Sequence, residues 1–406
     1  MVSKKYLEEK NFISRNGRLE HATSSVLRGA AAGIPEIVDW TRGNVIKRPL
    51  KIYDINGKPL FYDYAVKRGA KTIGTVRMGA SKILGTPAIA HEMGPRYWDF
   101  NVAVKKLIPK VKKKHPRGKI RRTRLVCYSY PKLGVMFEVT DGRRDSSRLI
   151  FDVADLSLIP EKPPDLEIEG AYAWSFYDAV HEDERKTRLK RYNQFNEWRL
   201  EIPEKKREML RRERTLVRAQ DLAYKADWFP WKITKTKKLQ FCPHYNYNET
   251  RSHHCFVLHG QQKNDYCAVA TCQMILDYYR YYYSQDDIAP ALDYGPGGCP
   301  SDQSPGYETL SCNHIDAAYD TTPNWTEARN QINDLHPLKS GIPGHARACA
   351  GYSYAKWLFG GISDKKLYIY DPWPWNADYK LGGAVYWEDW DSITHTNFIF
   401  TRLNCP

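Results

Sequence analysis

The stretch Gln261-Gln262-Lys263-Asn264-Asp265-Tyr266-Cys267, with the apolar run from Ala268 to Tyr279, decides how this chain is read. Ala270, Thr271, Met274, Ile275 and Tyr278 recur at helical spacing from Cys267, so a buried helix is predicted to begin at the cysteine. Asn264 and Asp265 are placed to cap it, satisfying first-turn N–H groups. A thiol at the positive end of a helix dipole is favoured as thiolate, so Cys267 is read either as a nucleophile or as a buried structural cysteine.

Outward from there, length and charge set the frame. The 406 residues suffice for two domains or more, and no run approaches the roughly 20 apolar residues of a membrane span. The first residues lack the apolar core of a signal peptide, which leaves a cytoplasmic protein or an exported one whose leader has been trimmed. The net charge of +15 is divided: residues 241–406 carry 11 Lys+Arg against 18 Asp+Glu, and residues 1–240 carry 51 against 29. Halves of opposite sign are expected to attract each other, or the basic half to meet an acidic partner. Eight of the nine cysteines lie beyond residue 240 with no CxxC spacing, which argues against zinc ribbons and thioredoxin-like motifs.

In chain order, Ser24 to Val38 is the expected first helix. Residues 49–160 alternate as strands, with Asn56-Gly57 as a hairpin turn, and read as an α+β unit with an antiparallel sheet. The basic run Lys105–Arg124 is read as a solvated loop or a surface facing the acidic half; no nucleic-acid partner is expected from it. Residues 161–240 form a charged arm of two helices broken at Pro203, ending in an extended Lys-rich linker. Its Lys232, Lys235, Lys237 and Lys238 mark a candidate cleavage region.

Residues 241–406 supply further chemistry. A helix over Trp325–Leu335 and a strand over Pro337–Ile342 precede His345, which opens a run of small residues read as a central strand. Lys366–Tyr370 is a strand ending at Asp371-Pro372, a carboxylate placed to orient an imidazole. Gln262, Cys272 and His395 are rivals for the roles of Gln261, Cys267 and His345.

The order Gln261, Cys267, Tyr278-Tyr279, His345, Gly351-Tyr352, Asp371-Pro372 resembles the papain-like cysteine peptidases, in their bacteriocin-leader-peptidase branch. The resemblance covers Leu258 to Phe400 and departs from papain at Ala268. It implies a papain-like catalytic domain over 241–406, with Cys267 as nucleophile, His345 as base and later acid, Asp371 as orienter, and the Gln261 amide with the Cys267 N–H as oxyanion hole. The arrangement of residues 1–160 resembles the prodomain of streptopain-type zymogens, which implies an inhibitory prosegment removed by cleavage in the 225–240 linker. Acidic residues near the cleft are expected to favour Lys or Arg in the substrate, and so self-cleavage there. The expected substrate is a peptide or protein, the chain a monomer, and the chemistry free of a cofactor; calcium is held open as an activator although no EF-hand loop occurs. The alternatives are a catalytically silent papain-like binding module and a transglutaminase-like acyl transferase.

Overall fold

The computed structural model describes residues 11–140, 146–162, 167–180, 182–200, 216–218, 232–239, 256–357 and 362–404. It is an α+β protein built on a large, mostly antiparallel sheet. The N-terminal part contributes β1 (Asn44–Ile46), β2 (Leu50–Asp54), β3 (Pro59–Arg68), β4 (Lys71–Gly79), β5 (Ala88–Met93), β6 (Lys119–Ser129), β7 (Lys132–Thr140), β8 (Ser146–Asp152) and β9 (Leu158–Ile159). The Asn56-Gly57 turn joins β2 to β3 as the sequence predicts, with Gly57 at φ +85°, a value that favours a residue without Cβ.

Two short strands follow, β10 (Ile168–Glu169) and β11 (Leu216–Arg218), and then β12 (Lys232–Lys238) and β13 (Cys299–Pro300). The C-terminal meander comprises β14 (Ile315–Asp320), β15 (Leu338–Ile342), β16 (His345–Trp357), β17 (Ile362–Asp371), β18 (Ala384–Asp389) and β19 (Asn397–Leu403). Strand β18 pairs with β17 on one side and with β5 on the other, so one hydrogen-bonded sheet runs through both halves.

The interiors are shared as well. Ile342, Trp373 and Ile393 pack into the N-terminal cluster around Phe61, Tyr130 and Phe137, while Tyr368 and Trp387 join the cluster around Trp40 and Tyr64. The three segments read from the sequence, 1–160, 161–240 and 241–406, therefore meet through common apolar cores as well as through buried polar contacts such as Arg191 with Asp389 and Trp373 with Asp152.

Several elements differ from the sequence reading. The first helices are Arg15–Ala31, capped by the Ser14 hydroxyl, and Pro35–Trp40, with Gly33 at φ +70° between them. The basic run is not a loop. It spans the end of a helix, Phe100–Lys114, and the start of β6, with Ala103, Leu107 and Val111 buried and the lysines outward. Lys112, Lys113 and Lys114 lie in the last turn, where cations complement the helix dipole.

In the arm, Glu182–Leu200 is the first expected helix. The second falls mostly outside the described residues, and its described part, Leu216–Arg218, is a strand paired with β1. The Lys-rich stretch is not an open linker: Lys232 to Lys238 pair antiparallel with β16 along its length, from Lys232↔Trp357 to Lys238↔Gly351. The lysine content masked a strand whose partner is more than a hundred residues away. A peptidase needs an unpaired, extended backbone, so residues 232–238 in this fold offer no ready cleavage point; residues 225–231 lie outside the described residues.

Candidate active site

The helix Cys267–Tyr278 is apolar on nearly every face, as expected of a helix enclosed on all sides, and packs on β15 and β16. Its start differs from the predicted cap. Tyr266 is the N-cap and makes no side-chain capping bond, because Asp265 accepts from the Tyr294 hydroxyl (2.9 Å) and the Asn264 amide donates to Ser157 Oγ (3.1 Å). At the other end the Tyr278 hydroxyl donates to the Leu335 carbonyl (2.8 Å), and Tyr279 to that of Thr401 (3.1 Å), which fixes the helix against the sheet.

His345 follows a two-residue hairpin. Ile342 and His345 pair across the Pro343-Gly344 turn, where Gly344 has φ +69°. Register between β16 and β17 brings Asp371, the last residue of β17, to the same end of the sheet. His345 Nε2 and Asp371 Oδ1 lie 2.8 Å apart, and both residues are fully buried. The carboxylate also accepts from the Trp373 N–H at Oδ1 (2.8 Å) and from the Tyr386 hydroxyl at Oδ2 (2.6 Å). Three donors hold it charged and still. Burial pushes its carboxyl up, but His345, Tyr386 and Arg347 outweigh that, and the net shift is downward.

The other ring nitrogen, His345 Nδ1, is buried with no hydrogen-bond partner. The Cys267 sulfur meets the peptide N–H of Ala346, the residue after His345, and that of Ala268. The thiol thus lies against the backbone of the residue that follows His345, at the junction of the helix start and the hairpin.

Gln261 and Gln262 behave differently from the sequence expectation. Gln261 is fully buried, and its amide nitrogen donates to the carbonyls of Lys263 (2.8 Å) and Asn264 (2.7 Å). Both amide hydrogens are spent inside the loop, so in this structure Gln261 shapes the approach to Cys267 rather than facing an oxyanion. Its backbone is tied to the Asp371 side: its N–H donates to the Pro372 carbonyl (2.9 Å) and its carbonyl accepts from Asn376 (3.1 Å). Gln262 points elsewhere, to the Ala377 carbonyl (3.0 Å). Cys272 is fully buried, and its thiol is pushed up by that burial. His395 stacks on Trp390 at 4.2 Å and approaches Ser340 Oγ at 3.3 Å. Asp287 is spent in a capping box with Ser284, and Asp286 pairs with Lys263 (2.9 Å), so neither is arranged as a calcium ligand.

Sequence reasoning missed Lys132, at the start of β7. It is fully buried, and its Nζ donates to the carbonyls of Gly170 (2.8 Å) and Gly344 (3.2 Å), the latter in the residue before His345. No local motif marks it, since it comes from the N-terminal half. Burial, reinforced by Lys132 and Arg347 and opposed by Asp371, holds His345 down at about 4. Burial raises the Cys267 thiol; Lys132 and the two peptide N–H groups pull it down, and Glu169 pushes it up. The net direction is opposite to that expected from a helix dipole acting alone. Near neutral pH both groups are uncharged, a protonated thiol and a neutral imidazole.

A pH profile follows from this. Iodoacetamide labelling of Cys267 in the intact chain is expected to rise about tenfold per pH unit between pH 7 and 9, because the rate follows the thiolate fraction below the thiol pKa. Peptide mapping after timed labelling measures it; a rate independent of pH over that range would contradict the neutral pair.

Among the described residues no helix is long and apolar enough to cross a membrane, and no free cysteine other than Cys312 is exposed. No family model matches this chain, and no curated protein matches it significantly.

Proposed function

We propose that this protein is a papain-like cysteine peptidase whose N-terminal half closes its own cleft, a zymogen arrangement. One observation carries the reading: a buried thiol at a helix start meets the peptide N–H of the residue that follows an imidazole whose Nε2 is fixed by a carboxylate and whose Nδ1 has no partner. In the open state His345 Nδ1 takes the Cys267 proton, and the thiolate attacks the substrate carbonyl carbon to form a C–S bond. The imidazolium, supported by Asp371, returns the proton to the leaving amine as the C–N bond breaks. Water then hydrolyses the thioester, with His345 acting as base. The Cys267 peptide N–H, a first-turn donor of its helix, faces the developing oxyanion. Gln261 joins it by exchanging one of its loop carbonyls for the oxyanion.

Closure has a physical rationale. Lys132 and the segment around Gly170 cover the site from the N-terminal half, keep water out and leave the pair neutral. Opening readmits water, lowers the thiol pKa and lets the ion pair form. The opposite net charges of the two halves favour the closed arrangement.

The test uses a chain whose cleft is opened by Gly170→Leu, whose side chain has no room (below). An epoxide-type peptidase inhibitor is expected to label Cys267 alone, and casein hydrolysis is expected in this chain and not in its Cys267→Ala version. Labelling at Cys272, or hydrolysis that survives Cys267→Ala, sinks the assignment. Formation of amide product with an added amine, in place of hydrolysis, would identify acyl transfer instead.

A further inference from the structure

A short segment of the chain lies across the candidate site as an added strand. Ile168 pairs with Pro300 and Glu169 with Cys299, antiparallel, and the Ser301 N–H donates to the Glu167 carbonyl (2.8 Å). The next residue, Gly170, donates its N–H to the Gly344 carbonyl (3.3 Å), immediately before His345, and its own carbonyl accepts from Lys132. Backbone hydrogen bonds of this kind fix an extended peptide and leave its side chains to be read by pockets.

Two side-chain positions are read. At Gly170 a Cβ would fall 1.6 Å from the Gly297 carbonyl oxygen, so no side chain fits. At Glu169, which is 2 % exposed, the carboxylate forms an ion pair with Lys339 (2.6 Å) and accepts from the Gln303 amide (2.9 Å). Lys339 is itself fully buried on β15, and its ammonium also donates to the Ser301 carbonyl (2.9 Å) and Asn397 Oδ1 (2.6 Å). Glu169 is the only carboxylate paired with Lys339 among the described residues. With the segment absent, the lysine would be left a buried cation between neutral acceptors, which is strongly unfavourable. A neutral or basic occupant leaves it so; an acidic one relieves it. The C-terminal half alone supplies Lys339, Gln303, Ser301 and Asn397, so the pocket belongs to the cleft and not to the segment filling it.

We propose that Lys339 and Gln303 form a carboxylate-reading subsite, with Glu167–Gly170 as its resident occupant, and that the cleft selects peptides with an acidic side chain followed by glycine. This rests on the peptidase reading for what happens to a bound peptide but not for the binding itself. The selected charge is opposite to the basic preference expected from the acidic composition of residues 241–406. That composition averages the surface, whereas the subsite is set by one buried lysine.

The test measures binding without requiring turnover. In the full chain carrying Glu169→Lys, like charges at Lys339 expel the segment, and Cys267 is expected to label with iodoacetamide at least tenfold faster than in the unaltered chain. Adding the acetylated pentapeptide Leu-Glu-Ile-Glu-Gly should restore protection, and the same peptide with lysine in place of its second glutamate should not. Gly170→Leu, which expels the segment by volume instead of charge, gives the same comparison in a second chain; thermal melting confirms that each is folded. Adding Lys339→Glu to the Glu169→Lys chain is expected to restore slow labelling. Equal protection by the two peptides, or no change in labelling in either folded variant, overturns the proposal. Protection by the acidic peptide in a chain that hydrolyses nothing would leave the subsite standing and remove the peptidase reading.

Discussion

His345→Ala and Asp371→Ala, each placed in the chain opened by Gly170→Leu, are expected to reduce peptide hydrolysis by roughly 10³-fold or more, within the range for a positioned acid–base group. The double variant is expected to be little worse than His345→Ala. The reason is the geometry: Asp371 reaches the reaction only through His345 Nε2, at 2.8 Å, while Trp373 and Tyr386 hold the carboxylate itself in place. Groups that act as one unit are not additive. Asp371→Asn should retain much more activity than Asp371→Ala, since an amide oxygen still accepts from Nε2–H. Steady-state kcat/KM on a peptide of the acidic-then-glycine type measures all four chains. Independent, multiplying losses would show that the carboxylate acts other than through the ring.

The second large effect is on stability. Arg347, two residues after His345 on β16, and Glu388 on β18 form an ion pair at 2.6 Å with both side chains fully buried. Arg347 also approaches the Tyr386 hydroxyl and Ser340 Oγ, each at 3.3 Å, and so links the pair to the residue that holds Asp371. Burial pushes the Glu388 carboxyl up and Arg347 pulls it back, leaving it above the ordinary value. Arg347→Ala strands a buried carboxylate and is expected to cost about 3–5 kcal/mol. Arg347→Met with Glu388→Leu, which removes both charges and keeps volume, is expected to recover most of that loss. Urea denaturation followed by tryptophan fluorescence gives both values. A loss below about 1 kcal/mol for Arg347→Ala would mean that water reaches the pair. Because Arg347 also presses His345 down, the same variants should raise the pH at which the ring titrates.

These two effects mark the boundary of what sequence reading reaches. Helix Cys267–Tyr278, the strand opened by His345 and the strand closed by Asp371 were legible because their signals are local: an apolar run, alternating small residues after the histidine, a β-branched and aromatic stretch before Asp-Pro. Lys132, Lys339, Arg347 and Tyr386 carry no such signal. A lysine or arginine is read as solvent-facing by default, and only a partner brought from elsewhere in the chain makes it a buried one. The Lys232–Lys238 stretch failed for the same reason, being a strand by virtue of β16 and not of its own composition. The cap at Asn264 and Asp265 failed because tertiary partners, Ser157 and Tyr294, took those side chains.

The sequence by itself determined the α+β class and which cysteine, histidine and aspartate stand at the ends of which elements, since both follow from periodicity and turn chemistry within a few residues. Only the tertiary structure decided that His345 and Asp371 meet, that Gln261 spends its amide on its own loop, and that Glu169 occupies a lysine pocket beside Cys267. These are contacts between residues far apart in the chain, fixed by sheet register and by burial, and burial also reverses the thiol's shift from the one a helix end alone would give.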